Sequence, residues 1–311
     1  MPAPKEGTVN SSNPVPPYHR FRDFIDVKSD RFNVLISLLD ELKFSVSVVN
    51  IAGKRHIFVV PSPNTLRVGT KKKITVLAAH YDRVPDSPGA NDNGAAVFIL
   101  IEAALRLRGR AIENWLIIFT DKEELSKNEG LRDQGSYLLA EGLKVIGFKS
   151  GFFFIFDACG RGDTLIISKT VGYLLKNEHS GTTAPLKNQF RLLQLRAMEA
   201  AKSISTGRFL LLPTPFSDDA GFLRAGLAAQ TITVLPAKEA AAFSSFIRGN
   251  NLYTGALINS EERLRRGTEH IPQTWRLLNS PQDTIEQLDG NNFGNVAQFA
   301  LELCRLDNRI F

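Results

Sequence analysis

A histidine and a set of carboxylates in this chain stand at spacings that could hold a metal ion. His80 closes the apolar run ITVLAAH, Asp82 follows two residues later, and Asp92 opens a helix-like stretch after Gly89-Ala90-Asn91. A strand end and a helix start joined by a short loop can direct an imidazole and a carboxylate to one point, as a first-row metal requires. Taken singly, His80 reads most simply as a hydrogen-bonded core histidine and Asp92 as a helix cap. The next apolar run, NWLIIFT, ends in Asp121-Lys122-Glu123-Glu124. After a strand, neighbouring carboxylates are expected to diverge, so that one could bind a metal while the other takes a proton from a metal-activated water. The run FFFIF then delivers Asp157, a further carboxylate at a strand end.

Those residues need elements that aim them at one place. From Lys73 the chain alternates strand-like runs with helical stretches: ITVLAAH, then AAVFILIEAALRL, NWLIIFT, a helix near 135–141, and FFFIFDA. Such alternation signals βαβ units and an α/β fold, with a mostly parallel central sheet of about eight strands and helices on both faces. Ligands of such sheets sit at the carboxyl ends of the strands, where these residues stand. Upstream, Asp30 caps an apolar rhythm at Phe32, Val34, Leu35, Leu38 and Leu39. Two β-rich stretches from Phe44 and His56 follow, separated by turn chemistry at Ala52-Gly53-Lys54. Later elements are a helix around 188–203, a short helix after Ser217, the strand AQTITVLP and a final helix over 291–306. Residues 1–29 read as a flexible arm and 30–311 as a single domain, with an irregular insertion near 237–273 that lacks clean periodicity.

Composition is that of an ordinary globular protein, with 43% hydrophobic and 23% charged residues among 311. Apolar runs such as Val76–Ala79 fall far short of the ~20 residues of a membrane-spanning helix, so no membrane association is expected. The net charge of +6 raises nucleic-acid binding. However, the basic residues are spread along the chain, and the one tight cluster, Lys71 to Lys73, suits a solvated turn; no nucleic-acid partner is expected. Two cysteines, Cys159 and Cys304, make neither a disulfide framework nor a CxxC pair. The Pro/Ser/Asn-rich start carries no apolar signal core, and a cytoplasmic protein is the expectation.

The motifs AAHYD at Ala78 to Asp82, GANDNGAA at Gly89 to Ala96, Glu123-Glu124 and FDACG at Phe156 to Gly160 occur in order. Together they resemble the co-catalytic zinc exopeptidases, a family that includes bacterial leucine aminopeptidases and, as a divergent branch, glutaminyl cyclases. Weaker echoes are Ser217-Asp218 and SPQDT at Ser280 to Thr284. The resemblance implies that His80 and Asp157 hold one zinc, Asp92 bridges two, Glu124 holds the second and Glu123 is the general base. It implies that Asp82 accepts the other ring N–H of His80 and fixes its tautomer. The expected activity is aminopeptidase-type hydrolysis of a peptide substrate by a metal-activated water.

One position departs from the family. Where its second zinc takes a histidine, this chain has Asn279. An amide oxygen is a neutral, hard donor that suits Ca, Mg or Mn better than zinc. Three readings stay open. The chain could work with one tightly held zinc, or recruit a substitute ligand such as His270, or be a non-catalytic binding protein that keeps a metal for structure. Retention of Glu123 favours catalysis, because a structural site has no need of a base. A glutaminyl-cyclase-like acyltransferase is a further alternative, weakened because that branch's zinc uses the equivalents of Asp92, Glu124 and the replaced histidine. His19, in the arm, and His56, opening an early strand, are not placed for ligation.

Overall fold

Every other residue of the central strands faces a different helical layer, and this accounts for their unbroken apolar character. In the computed structural model, which describes residues 17–62, 73–148, 151–177, 184–204, 208–249 and 270–306, eight strands form one sheet: β1 (Ser45–Ile51), β2 (Lys54–Val60), β3 (Thr75–His80), β4 (Trp115–Thr120), β5 (Phe152–Phe156), β6 (Thr164–Ser168), β7 (Phe209–Leu212) and β8 (Ala229–Leu235), in the order β1-β2-β4-β3-β5-β8-β6-β7. The core of the sheet, β4-β3-β5-β8, is parallel, β6 and β7 are parallel to one another, and β1, β2 and the β6-β8 contact are antiparallel.

On one face Leu77 and Ala79 of β3 pack against α2 (Arg31–Glu41), α3 (Ala95–Gly109), α6 (Ala184–Lys202) and the final helix α10 (Phe293–Arg305). On the other, Val76 and Ala78 meet α4 (Gly135–Val145) and α7 (Asp218–Arg224). A side-chain period of two with both faces covered is the mark of buried parallel strands. Beyond the edge of this core, α8 (Ala237–Gly249) and α9 (Gln273–Leu277) form a third apolar cluster around Phe243 and Trp275.

The expected α/β architecture is the observed one, and Asp30 does cap α2, its side chain accepting the Asn33 N–H at 3.1 Å. Two strands, β6 and β7, and the helix α5 (Thr170–Asn177) complete it where the sequence showed no clear signal. Two boundaries change. Within the expected arm, residues 17–25 are helical, with α1 at Phe21–Ile25, and Phe21 and Phe24 are buried edge-on against Phe98 of α3. Aromatic burial of this size outweighs the polar, Pro-rich composition around it. Within the expected insertion, 237–249 is the regular helix α8, whose Ala240, Phe243 and Ile247 supply a buried i, i+3, i+7 stripe. The rest of the insertion, 250–269, lies outside the described residues, as do residues 1–16 of the arm. No helix among the described residues is long and apolar enough to cross a membrane.

Candidate metal centre

The chain leaves β3 for β4 on one side and reaches β5 on the other, so β3 is a switch point of the sheet, the place where open α/β sheets form their clefts. His80 is the last residue of β3 and pairs with Thr120, the last of β4. Ala78 pairs with Ile155 of β5, which brings Asp157, two residues on, level with His80. Three adjacent strand ends therefore present His80, Glu123-Glu124 and Asp157 along one edge. His80 is fully buried, its Nε2 3.1 Å from Asp92 Oδ1 and 3.9 Å from Asp157 Oδ1. Its Nδ1 lies 3.4 Å from Asp82 Oδ1. Ligand atoms of His80, Asp92 and Asp157 all fall within 4.8 Å of one another, and so do those of His80, Glu123 and Glu124.

Local backbone chemistry sets these positions. Asp92 does not cap α3. It sits in the Ala90–Gly94 turn before that helix in an extended conformation. Gly89 opens the turn at φ +57, and a Cβ there would come within 2.4 Å of the Asp92 carbonyl. The flanking asparagines tie the turn to the end of β5. Asn91 Oδ1 accepts the Gly160 N–H at 2.8 Å, while Asn93 donates to the Phe156 carbonyl at 2.8 Å and accepts the Ala158 N–H at 3.2 Å. Asp92 and Asp157 are thereby held in register.

Asp82 accepts the backbone N–H groups of Glu123 and Glu124, each at 3.1 Å. The two glutamates, expected to diverge, instead both face the centre, because Asp82 pins their backbone and the turn at Lys122 (φ +63) curls it back over β3. They differ in partners. Gln134 donates to Glu123, whereas Glu124 Oε1 is buried with no hydrogen-bond partner.

Electrostatics show what such a cluster wants. Burial and the neighbouring Glu124, Asp218 and Asp157 push Glu123 well above the usual carboxylate range, despite the opposing pull of His80. Burial followed by Asp92 pushes Glu124 up to about 9. Burial works against a charged His80, yet Asp157, Asp82 and Asp92 outweigh it and raise the ring well above its ordinary value. Crowded, buried carboxylates that resist ionising are complementary to a cation. Both nitrogens of His80, Glu124 Oε1 and Asp157 Oδ1 are buried without hydrogen-bond partners. One imidazole nitrogen with carboxylate oxygens at this spacing fits a zinc ion.

The centre forms the floor of a cavity of about 410 Å3. Asp92, Glu123, Glu124 and Asp157 line one side, with Leu125, Leu131, Phe216, Trp275 and Leu278 on the others. Asn279 also lines it, in the left-handed conformation that asparagine tolerates (φ +58). His270 stacks on Phe246 of α8, ring centroids 4.1 Å apart, and joins no ligand group found among the described residues. His56 is nearer than its sequence position suggests. It is buried at the same sheet edge, where Nδ1 accepts the Asp121 N–H at 3.3 Å and burial lowers it to about 4, so it is a neutral structural histidine. His179 lies outside the described residues. Cys159 is buried and its thiol points at the carbonyls of Asp157 and Ile232, consistent with a structural residue.

Three contributors carried little or no sequence signal. Asp283, within SPQDT, accepts the N–H groups of Asn91 and Asp92, each at 2.9 Å. Arg31, the first residue of α2, is a buried guanidinium that donates to the carbonyls of Tyr81, Asp82, Pro88 and Gly89 and so binds the two ends of the His80–Asp92 loop. Gln134 reaches Glu123 from the start of α4.

Known proteins share this arrangement of elements. The model of peptidase family M28 matches residues 64–304, and the chain belongs to that family. It is similar in fold to a leucine aminopeptidase precursor of Bacteroides thetaiotaomicron, at 19% identity over 94% of this chain and 97% of that one, with a TM-score of 0.62. The glutaminyl cyclase of Porphyromonas gingivalis is similar at 15% identity over 93% and 96%, with a TM-score of 0.61. A zinc aminopeptidase from Bacillus subtilis is similar at 20% identity and a TM-score of 0.52 over 80% of this chain, which spans about half (48%) of that protein's length. No curated protein matches the chain.

Proposed function

We propose that this chain is a zinc-dependent exopeptidase that releases the N-terminal residue of a peptide. The observation that carries the proposal is His80, fully buried, its Nε2 3.1 Å from Asp92, grouped with Asp157 and with Glu123 and Glu124, four carboxylates that line an open cavity. His80, Asp92 and Asp157 would hold one zinc, and Glu124 would offer a ligand to a second. When bound, zinc polarises a carbonyl as a Lewis acid and lowers the pKa of water to about 7.

The protein's own groups supply the rest. Glu123 takes the proton from the attacking water and returns it to the leaving amine nitrogen, a transfer typically worth about 10²- to 10⁴-fold. Asp82 holds the backbone of Glu123 and Glu124 and lies beside His80 Nδ1, where it orients the ring. The Leu131, Phe216 and Trp275 side of the cavity offers an apolar surface for an uncharged substrate side chain. Asn279 lines the same cavity as Glu124, and an amide oxygen offered there would hold a second zinc weakly.

Metal content of protein purified without chelator tests this reading. At least one zinc per chain, lost in Asp157→Ala, supports it. No bound metal under zinc-replete conditions would leave the fold as a binding scaffold.

A further inference from the structure

Of the two adjacent glutamates, Glu123 alone has a side-chain donor on its carboxylate among the described residues; Lys122 Nζ reaches only the backbone carbonyl of Glu124, at 3.0 Å. Gln134 Nε2 donates to the Glu123 backbone carbonyl at 3.3 Å and to its Oε1 at 3.2 Å, so the amide nitrogen serves one residue twice. Gln134 itself has little freedom. It is 3% exposed, stands immediately before the first residue of α4, and makes no capping bond to that helix with its side chain. Gly135, the next residue, is pressed onto the turn that carries the glutamates: a Cβ there would lie 1.7 Å from the Asp121 carbonyl oxygen, and its N–H donates to the Lys122 carbonyl at 2.8 Å. Behind the amide, Gln134 Oε1 packs toward Gly221 of α7. Packing of α4 on α7 thus fixes where the donor sits.

A glutamate side chain has three rotatable torsions, and a cavity wall alone leaves its carboxylate plane undefined. A donor fixed on one oxygen defines that plane, keeps this oxygen an acceptor and leaves the other clear for the reacting water. Glu124 Oε1, buried and without a donor, is left for a metal instead. The geometry points to Gln134 as the positioning residue that makes Glu123, rather than Glu124, the carboxylate that handles the proton. This inference deepens the exopeptidase reading and rests on Glu123 being its base.

The test compares crystal structures, zinc content and steady-state kinetics of the zinc-loaded wild type and Gln134→Met, which keeps the volume and removes the N–H groups. In the variant the Glu123 carboxylate should occupy more than one orientation, and kcat should fall about 10- to 100-fold, the range seen when groups that orient catalytic residues are removed, while KM and zinc content hold. A Glu123 side chain that keeps its single orientation, or an unchanged kcat, would overturn the inference. If Gln134→Met is unstable, Gln134→Leu removes the N–H groups with a smaller side chain that cannot donate; an unchanged kcat there would overturn it equally. Should wild type release no amino acid while Glu123 still loses its orientation in the variant, Gln134 positions Glu123 and it is the exopeptidase reading that fails.

Discussion

Asp82 and Asp283 secure the centre in the same way: each carboxylate accepts the N–H groups of two successive residues, Glu123 and Glu124 for Asp82, Asn91 and Asp92 for Asp283. Two irregular loops are thereby given the fixed backbone that ligand geometry demands. The carboxylates differ in charge environment. Burial alone would raise Asp82, but His80 and the two amide groups outweigh it and hold it below its usual value. Burial dominates at Asp283 and lifts it to about 6.

Asp82→Asn should therefore damage function more than folding. The amide keeps one acceptor but sets an NH2 group against the second backbone N–H and beside the ring of His80. A loss of about 10- to 100-fold in kcat/KM is expected, as for other groups that orient metal-ligating histidines, with a melting temperature lowered only by the one backbone N–H left unpaired, at about 1–3 kcal/mol. Kinetics and differential scanning calorimetry on one preparation check both halves.

Asp283→Ala should act on stability. It leaves two buried N–H groups unpaired, at about 1–3 kcal/mol each, and releases the turn that presents Asp92. A melting temperature lowered by several degrees, together with weaker zinc binding in a competition titration, is the expected outcome.

How far the sequence discloses these features depends on the range of the interaction. His80, Asp92, Glu123, Glu124 and Asp157 could be read as one group because each ends or closely follows an apolar strand or stands in the turn before a helix, and one sheet edge gathers such positions. The partners that hold them were not. Arg31 precedes His80 by 49 residues and Asp283 follows Asp92 by 191, and nothing local in an arginine at a helix start or an aspartate in a turn announces a distant loop. The strands β6 and β7 also went unread: β7 is a four-residue edge strand, whereas β6 is as long as the legible β5 and length does not account for it. Residues 17–25 were hidden by the Pro-rich stretch before them, although Phe21, Phe24 and Ile25 carry the burial pattern of a short helix.

Position 279 offers a direct test of how many metals the centre takes. Asn279→His should strengthen zinc binding at the Glu124 side of the cavity by at least 10- to 100-fold, since imidazole suits zinc where an amide oxygen does not. Calorimetric titration should show this as a second, tighter binding event relative to wild type. Identical isotherms would mean that position 279 does not reach the metal.

The crowded carboxylates also set a pH dependence for metal-free protein. Glu124 rises from an ordinary 4.5 to about 9 on folding, so between those values the folded state binds more protons than the unfolded state. Stability must then fall as pH rises through that window. Chelated protein should melt progressively lower from pH 5 to pH 9. Zinc-loaded protein should show a flatter profile, because a bound cation replaces the protons. Melting temperatures measured with and without chelator across that range test the sign directly.

The central claim is that Glu123 moves the proton in a zinc-dependent release of an N-terminal amino acid. Free amino acid released from a panel of short peptides, measured for zinc-loaded wild type and Glu123→Gln at matched zinc content, tests it most directly. Turnover by wild type that falls at least 100-fold in the variant, with zinc content unchanged, is the predicted result. A wild type that releases nothing from any peptide, or a variant that matches it, would contradict the claim.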